Sequence, residues 1–372
     1  MWRKTEIALC LLAAAALLLA GYGGWLAPSR HGALPALMAL AYPIVVVLSM
    51  LLALLWLVRR RWVLAVTLLA SLLATWPSLR ANFPIGAATA ATDSTRMFRV
   101  MTYNVAAFDD HRWTDTTQLH PAMQLILDQD ADFVVMQQPN TRGRGALEMK
   151  SLARWAQQVT SQYPYYSFSR HDGVEILSKY PFNAQPIGEL QQSYRYFPYI
   201  VSWYQYYAFD ITMPNHEPLR IIGCYMTSFQ LSQGERQVLE LNGNRQWHTT
   251  QLYEKMREAF VAREHAAQLV RDTIDASCPN VIVCMDLNDV PQSYAYRTIM
   301  GHDMRDSYRK SSLPQVTFHD HNMLFHIDHI LYRGAMDAVD YKVIHDNSSD
   351  HYPVVATFEW TSAPTTGSCR RR

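Results

Sequence analysis

Three long stretches without a charged residue open the chain, at residues 7–27, 34–58 and 62–79. Each reaches the roughly 17–25 apolar residues that cross a hydrocarbon core, the third only just. The pattern predicts three membrane-spanning helices within residues 1–80. Pro43 and Pro77 are tolerated inside them where neighbouring helices satisfy the freed carbonyls. A signal peptide is the other reading of the first stretch, because Arg3 and Lys4 precede it. The two later stretches would still hold the chain at a bilayer. Residues 81–97, rich in Ala, Thr and Ser, follow as a linker.

Beyond the linker the pattern changes to short apolar runs, at 98–105, 133–137, 174–177, 200–211, 219–226, 281–286, 325–332 and 353–360, which predict strands. Residues 252–274 carry Met256, Phe260, Ala267 and Val270 at helical spacing among charges, and 147–159 and 123–127 are shorter helical candidates. Strands and helices alternate without a strict βαβ rhythm, which favours α/β or α+β layers over a simple doubly wound sheet. No internal repeat is visible, and residues 361–372 read as a disordered tail. A dense set of aromatics (Tyr194, Tyr196, Phe197, Tyr199, Trp203, Tyr204, Tyr206 and Tyr207) reads as an aromatic hairpin packed on the sheet; substrate stacking or the lipid interface is the other reading.

Charge separates the two parts further. Seven of the 33 Lys and Arg but only one of the 32 acids, Glu6, lie in residues 1–80, leaving 26 basic against 31 acidic residues, a net −5, for the remainder. Arg3 and Lys4 precede the first span, and Arg59, Arg60 and Arg61 separate the second from the third. Positive-inside placement puts these five in the cytoplasm, against the two votes of Arg30 and Arg80. The chain is thus expected in an inner (plasma) membrane, N-terminus cytoplasmic and C-terminal domain periplasmic or otherwise extracytoplasmic. The five cysteines form no disulfide framework: Cys10 sits in a span, Cys224 and Cys284 in strand-like runs, Cys278 before a strand and Cys369 in the tail. About 290 residues outside the membrane can bury a core without staples, so free thiols are expected.

Three runs end on an acid or a histidine: Asp286 with Asn288 and Asp289, Asp328 with His329, and Asp350 with His351. A carboxylate leaving a strand buried on both faces is costly unless it is bonded or paired. Three such exits predict one cluster at one sheet rim, suited to a hard divalent cation and a phosphate ester. Taken singly, Asn104 also reads as a strand-end cap. Asp286 with Asn288 also reads as the turn into the next helix, which Asp289 and Pro291 favour. His319, His321 and His329 raise zinc, but no Cys or His spacing supports a tetrahedral site.

The ordered segments Thr102-Tyr103-Asn104-Val105, Asp132-Phe133-Val134-Val135-Met136-Gln137-Gln138, Leu177-Ser178-Lys179-Tyr180-Pro181, Asp286-Leu287-Asn288-Asp289, Ile327-Asp328-His329 and Ser349-Asp350-His351 resemble the endonuclease/exonuclease/phosphatase superfamily, the DNase I-like proteins, over residues 98–360. Three spans before such a domain look like the membrane-anchored members of Bacteroidetes-type bacteria. The resemblance implies a four-layered sandwich of two central sheets flanked by helices, with Mg²⁺ or Mn²⁺ at one rim. By motif, His351 would be the catalytic histidine and Asp328 would orient it. Asp286 and Asn288 would position the attacking water, and the Tyr225 hydroxyl would donate to a phosphate oxygen. Asn104, Asn288 and His351 would hold the phosphate, and Asn104, Gln138 and Asp350 the metal.

The departures from that pattern matter as much. Gln138 stands where the family carries its principal metal carboxylate, so metal affinity should fall. Tyr225 stands where many members have His but the abasic-endonuclease branch has Tyr, and Ala106 where anchored members often carry a base. Asp172 or Glu175 could supply a substitute carboxylate. Two functions follow. The first is a metal-dependent phosphodiester hydrolase facing away from the cytoplasm, which the retained Asp286, Asn288, Asp328 and His351 favour. The second is a catalytically inactive descendant serving as a binding module, which Gln138 and Ala106 favour. A net-acidic body without a Lys/Arg run favours a lipid head group or small phosphodiester over DNA. No protein partner is inferable.

Overall fold

The computed structural model describes residues 2–90, 93–109, 117–139, 150–167, 173–188, 195–196, 205–214, 218–231, 249–320 and 324–361. Among them twelve strands form two six-stranded sheets: β1 (Met97–Asn104), β2 (Phe133–Gln137), β3 (Tyr165–Tyr166), β4 (Val174–Ser178), β5 (Phe182–Pro186), β6 (Tyr206–Thr212), β7 (Pro218–Tyr225), β8 (Val281–Asp286), β9 (Arg305–Asp306), β10 (Asp328–Arg333), β11 (Met336–Val343) and β12 (Val354–Trp360). The strand orders are β11-β12-β1-β2-β4-β3 and β5-β6-β7-β8-β10-β9. Both sheets share one pattern of pairing, with a central parallel pair (β1/β2 and β7/β8) between antiparallel neighbours. The repeat that the sequence hides is therefore present in the topology.

Each parallel pair needs a crossover. The helix Pro121–Gln129 lies between β1 and β2 in the chain, and the long helix Thr249–Asp275 between β7 and β8. These helices cover the outer faces through two apolar clusters, one built on Met123, Ile126 and Met136, the other on Ala267, Val270 and Val283. A third cluster fills the space between the sheets with alternate residues of facing strands: Phe98 and Val100, Phe133 and Val135, Ile282 and Cys284, Ile330 and Tyr332. Helix, sheet, sheet and helix form the four expected layers. With both faces covered, the central strands read as unbroken apolar runs. Extending the alternation places Asn104, Gln137, Tyr225, Asp286 and Asp328 on the inter-sheet face, all where the parallel pairs end.

The N-terminal segment is a helical bundle. The stretch Lys4–Trp25, 22 residues, is long and apolar enough to cross a membrane. The other two expected spans are not straight helices. Leu34–Leu40 and Tyr42–Val58 meet at 66°, and Trp62–Ala74 and Trp76–Asn82 at 72°. Pro43 and Pro77 sit in the first turn of the segment after each bend. A proline there lacks the N–H that would continue the preceding helix, so it breaks the span rather than being carried within it. Leu17, Tyr42, Val46, Trp56 and Leu68 pack inside the bundle, whereas Leu12, Leu48, Leu51, Val63 and Leu73 point outward and are exposed. Arg59 and Arg61 pair with Glu6 at the bundle end remote from the sheets.

The near end of the bundle clasps the loop after β8. Asn82 donates to the Gln292 side chain at 2.7 Å, and Gln292 in turn donates to the Ala39 carbonyl. Gly24 lies so close that a Cβ there would stand 1.8 Å from the Gln292 carbonyl oxygen, so no other residue fits. Leu252, Met256 and Phe260 pack on Ala33 and Ala36, and Glu264 accepts from the Ser29 hydroxyl at 2.7 Å. The expected linker is laid against the domain, with Gly86 N–H donating to Ser311 O and Thr89 N–H to Val339 O.

Several expectations need correction. The run 325–332 becomes strand only at Asp328, and Phe325 makes an isolated bridge with Phe318. The run 200–211 forms β6 from Tyr206; of the aromatic set, Tyr194, Phe197, Tyr199, Trp203 and Tyr204 lie outside the described residues, while Tyr207 stacks on Phe209. The helical stretch 147–159 is split into Lys150–Ala153 and Ala156–Gln162. Cys10, Cys224 and Cys284 are free and buried, but Cys278 is disulfide-bonded, against the expectation of free thiols throughout.

Candidate active site

The register of β8 and β10 sets Asp286 directly opposite Asp328. Like charges facing each other across a pair of strands repel, and both side chains are buried. His351, delivered by the chain just before β12, resolves the conflict. Its Nδ1 lies 3.0 Å from Asp328 Oδ2 and its Nε2 3.8 Å from Asp286 Oδ2. The aromatic ring of Phe318 covers the imidazole at 4.9 Å. Among the described residues these three form a group whose ligand atoms all lie within 4.8 Å of one another. Burial works against the imidazolium, yet Asp328 and Asp286 outweigh it and raise the His351 pKa. Burial and the neighbouring Asp328 push the Asp286 carboxyl up, with His351 opposing.

Two amides complete the arrangement. Asn104 Nδ2 donates to Asp286 Oδ2 at 2.9 Å and lies 3.5 Å from His351 Nε2, while its Oδ1 accepts from the Ala106 N–H at 3.0 Å. Asn104 thus caps the turn after β1 through Oδ1 while its Nδ2 lies against Asp286 and His351. Asn288 donates through its backbone N–H to Asp286 Oδ1 at 2.9 Å and through Nδ2 to Asp286 Oδ2 at 3.1 Å and Met226 O at 3.0 Å. Its φ of 50° is left-handed, a conformation asparagine tolerates better than most residues. The turn reading of Asp286-Leu287-Asn288 is thus borne out, with Ser293 rather than Asp289 capping the next helix.

Tyr225 stands beside Asp286 in register at the end of β7, half-buried against the inter-sheet cluster. Asp350 lies next to the group and helps raise the His351 pKa, but its carboxylate accepts from Ser349 and is not part of the three-residue group. Gln138 leaves β2 in a left-handed conformation, with its carbonyl accepting from Ala107 and its N–H donating to Gly173. Glu175 is buried on β4 opposite Met136, the side that faces the helices, and Asp172 lies outside the described residues. The histidines proposed for zinc do not converge: His329 bonds Asp306 at 2.9 Å, His319 stacks on Tyr352 at 3.9 Å, and His321 is outside the described residues.

Sequence reasoning missed the residues that hold the site. Ser349 donates to the Asn104 carbonyl and accepts from the His351 N–H, tying β1 to β12. Thr317 Oγ1 accepts from the Ile327 and Asp328 N–H groups. Arg263, on the long helix and fully buried, pairs with Asp289 at 3.0 Å and donates to the Thr227 carbonyl at 2.8 Å. Ser349 was legible as a motif neighbour. Nothing in a helical charge pattern marks Arg263 as the arginine that turns inward.

The Asp306–His329 pair carries a pH expectation. Burial alone would raise the Asp306 carboxyl, but His329 and the Tyr308 N–H more than reverse this and lower it. A lowered folded-state pKa stabilises the fold above the unfolded value of about 3.9 and is lost as pH falls through the folded value. The thermal midpoint should therefore drop on acidification from pH 5 towards 3, and in Asp306→Asn that part of the slope should vanish.

A divalent cation is implied by the resemblance, and the donor set suits a hard ion. Asp328 Oδ1 is buried without a hydrogen-bond partner, and Asp286 and Asn104 bring further oxygen atoms beside His351.

Residues 101–351 match the Endonuclease/Exonuclease/phosphatase family, and residues 3–82 match a domain of unknown function, DUF8431. No curated protein matches the chain significantly. Among solved structures, humanized TDP2 of D. rerio superposes with a TM-score of 0.50 at 15% identity, covering 71% of this chain and 99% of that one. The catalytic domain of human nocturnin with bound sulfate gives 0.46 at 14% identity, covering 72% and 94%. An endonuclease/exonuclease/phosphatase family protein from Bacteroides thetaiotaomicron gives 0.44 at 17% identity, covering 71% and 98%. The match over residues 101–351 spans well over half of the sequence, and the chain belongs to the endonuclease/exonuclease/phosphatase family.

Proposed function

We propose that the chain is a membrane-anchored, metal-dependent phosphodiester hydrolase acting outside the cytoplasm. The observation that carries this reading is the convergence of Asp286, Asp328 and His351, with the Asn104 and Asn288 amides, at the ends of the two parallel strand pairs. Asp328 fixes one imidazole nitrogen, which leaves Nε2 to bind a phosphate oxygen or transfer a proton there. Asn288 and Asp286 position the attacking water, and Asn104 and Tyr225 donate to the phosphate. Asp286, Asn104 and Gln138, with Asp350 as a further carboxylate, would hold Mg²⁺ or Mn²⁺. When bound, the cation supplies neutralisation of developing phosphate charge.

Anchoring rests on the bundle. Its outward leucines suit lipid, and the two bent pairs read as broken spans. The Arg59–Arg61 end would face the cytoplasm and the domain the other side. The site loop sits on the bundle end, which favours a lipid head group or small phosphodiester over DNA. The layout is that of a Bacteroidetes-type anchored member.

Gln138 favours a second reading, a binding module that has lost turnover. Hydrolysis of bis-p-nitrophenyl phosphate by the full chain in detergent, with and without Mn²⁺, separates the two. In Gln138→Glu the metal concentration for half-maximal rate should fall by about tenfold or more, since one added charge near a dication is worth on the order of 1–4 kcal/mol. Turnover in neither protein would sink the hydrolase reading.

A further inference from the structure

A cavity of about 710 Å³ lies at the seam between the helix bundle and the soluble domain, sharing no residue with the Asp286–Asp328–His351 group. Its wall is cationic, with Arg80, Arg271, Arg297 and Arg309 beside Trp25 and Tyr294. Arg271 is neutralised by Asp275 and Asp303. Asp306, also on this wall, is taken by His329 and Tyr296. Among the described residues none of the other three arginines forms an ion pair with the aspartates that share this wall, Asp275, Asp303 and Asp306. Arg297 donates to the Gly21 carbonyl at 3.1 Å and the Ser78 hydroxyl at 2.7 Å, and lies over the Trp25 ring at 4.9 Å. Arg80 and Arg309 are exposed, and their side chains make no ion pair or hydrogen bond among the described residues. A neighbouring cavity of about 680 Å³ shares Arg80 and Arg309, so the two form one trough.

Arg80, Arg297 and Arg309 line one trough without ion-pair partners of their own, so an anion there would be attracted by all three. Guanidinium forks match phosphate geometry. The carboxylates on this wall, Asp275, Asp303 and Asp306, are engaged by Arg271, His329 and Tyr296 rather than by Arg80, Arg297 or Arg309. The trough also sits at the right level for a head group, because Trp25 ends the 22-residue apolar helix and tryptophan belongs at the membrane–water interface.

We propose that this trough is a second phosphate-binding site, in which Arg80, Arg297 and Arg309 hold the phosphate of an anionic head group while Trp25 and Tyr294 flank it. A phospholipid offers a phosphodiester and a soluble ligand a phosphate monoester; both present anionic phosphate oxygens to guanidinium, and the test separates them. The full chain is placed in nanodiscs of phosphatidylcholine with phosphatidylglycerol, and retained lipid is read by native mass spectrometry. Detergent-solubilised protein is separately titrated with glycerol 3-phosphate, and the thermal midpoint is followed. Arg80→Glu with Arg309→Glu is the matched variant; both positions are exposed, so its hydrolysis of bis-p-nitrophenyl phosphate should stay within twofold.

The wild type should retain phosphatidylglycerol at least fivefold over phosphatidylcholine, and the variant less than twofold. A midpoint rise with glycerol 3-phosphate alone, absent in the variant, would keep the site and assign it a soluble ligand. Equal lipid retention in both proteins, with no midpoint difference, would overturn the proposal. Loss of hydrolysis in His351→Ala with lipid retention intact would show that the two sites are separate.

Discussion

Replacing His351 by alanine should lower hydrolysis of bis-p-nitrophenyl phosphate by about 10²–10⁴-fold, the range a positioned acid–base group supplies. The expectation follows from geometry. Asp328 holds Nδ1 at 3.0 Å, so the ring has one orientation, and its other nitrogen, Nε2, lies 3.5 Å from Asn104 Nδ2 and 3.8 Å from Asp286 Oδ2. Alanine removes both the proton carrier and the cation that separates two facing carboxylates. Asp328→Asn should keep the ring in place but cost it the carboxylate that raises its pKa, giving a smaller fall with a shifted pH profile. A His351→Ala protein with undiminished kcat would end the hydrolase reading.

The largest effect on stability is expected from Arg263. Removing one partner of a buried ion pair leaves the other charge uncompensated and costs about 3–5 kcal/mol. Arg263→Met does this to Asp289, and it also removes the donor to the Thr227 carbonyl and the guanidinium that packs over Phe229 and Phe260 at 4.4 and 4.8 Å. The thermal midpoint in detergent should fall by several degrees or more. Adding Asp289→Leu should recover most of the loss, because a pair replaced by apolar groups is often neutral. The double variant should nonetheless turn over slowly, since Asp289 follows Asn288 directly and the pair fixes that turn. Full activity in the double variant would mean that Arg263 serves stability alone.

Much of this was legible in the sequence, and the physical reason is burial on both faces. β2 and β8 run from Phe133 to Gln137 and from Val281 to Asp286, as the apolar runs predict, because nothing polar interrupts a central strand until its exit. The exits of these two announce themselves as Gln137 and Asp286, whereas Asp328 opens β10 and His351 precedes β12, so the expected exits there are entries. Edge strands carry no such signal. β5 is nearly all exposed, and β11 alternates Asp337, Asp340 and Lys342 with apolar residues; neither was predicted. The helix Tyr294–Met300 is too short to show a period, although its Ser293 cap was there to be read. The apolar stretches at 34–58 and 62–79 conceal their bends because hydropathy is blind to the direction of a helix; only Pro43 and Pro77 hinted at them. Ser349, Thr317 and Arg263 act through backbone carbonyls and amides of distant segments, which spacing along the chain does not encode.

Gln292 wedged between Gly24, Ala39 and Asn82 has a practical consequence. A truncated version lacking the first 96 residues would strip the cover from Leu252, Met256 and Phe260 and leave the segment after Asn288 without its abutment. Such a fragment should clump during purification and give a falsely low turnover number, so enzymology on this protein belongs in micelles or nanodiscs with its N-terminal helices attached.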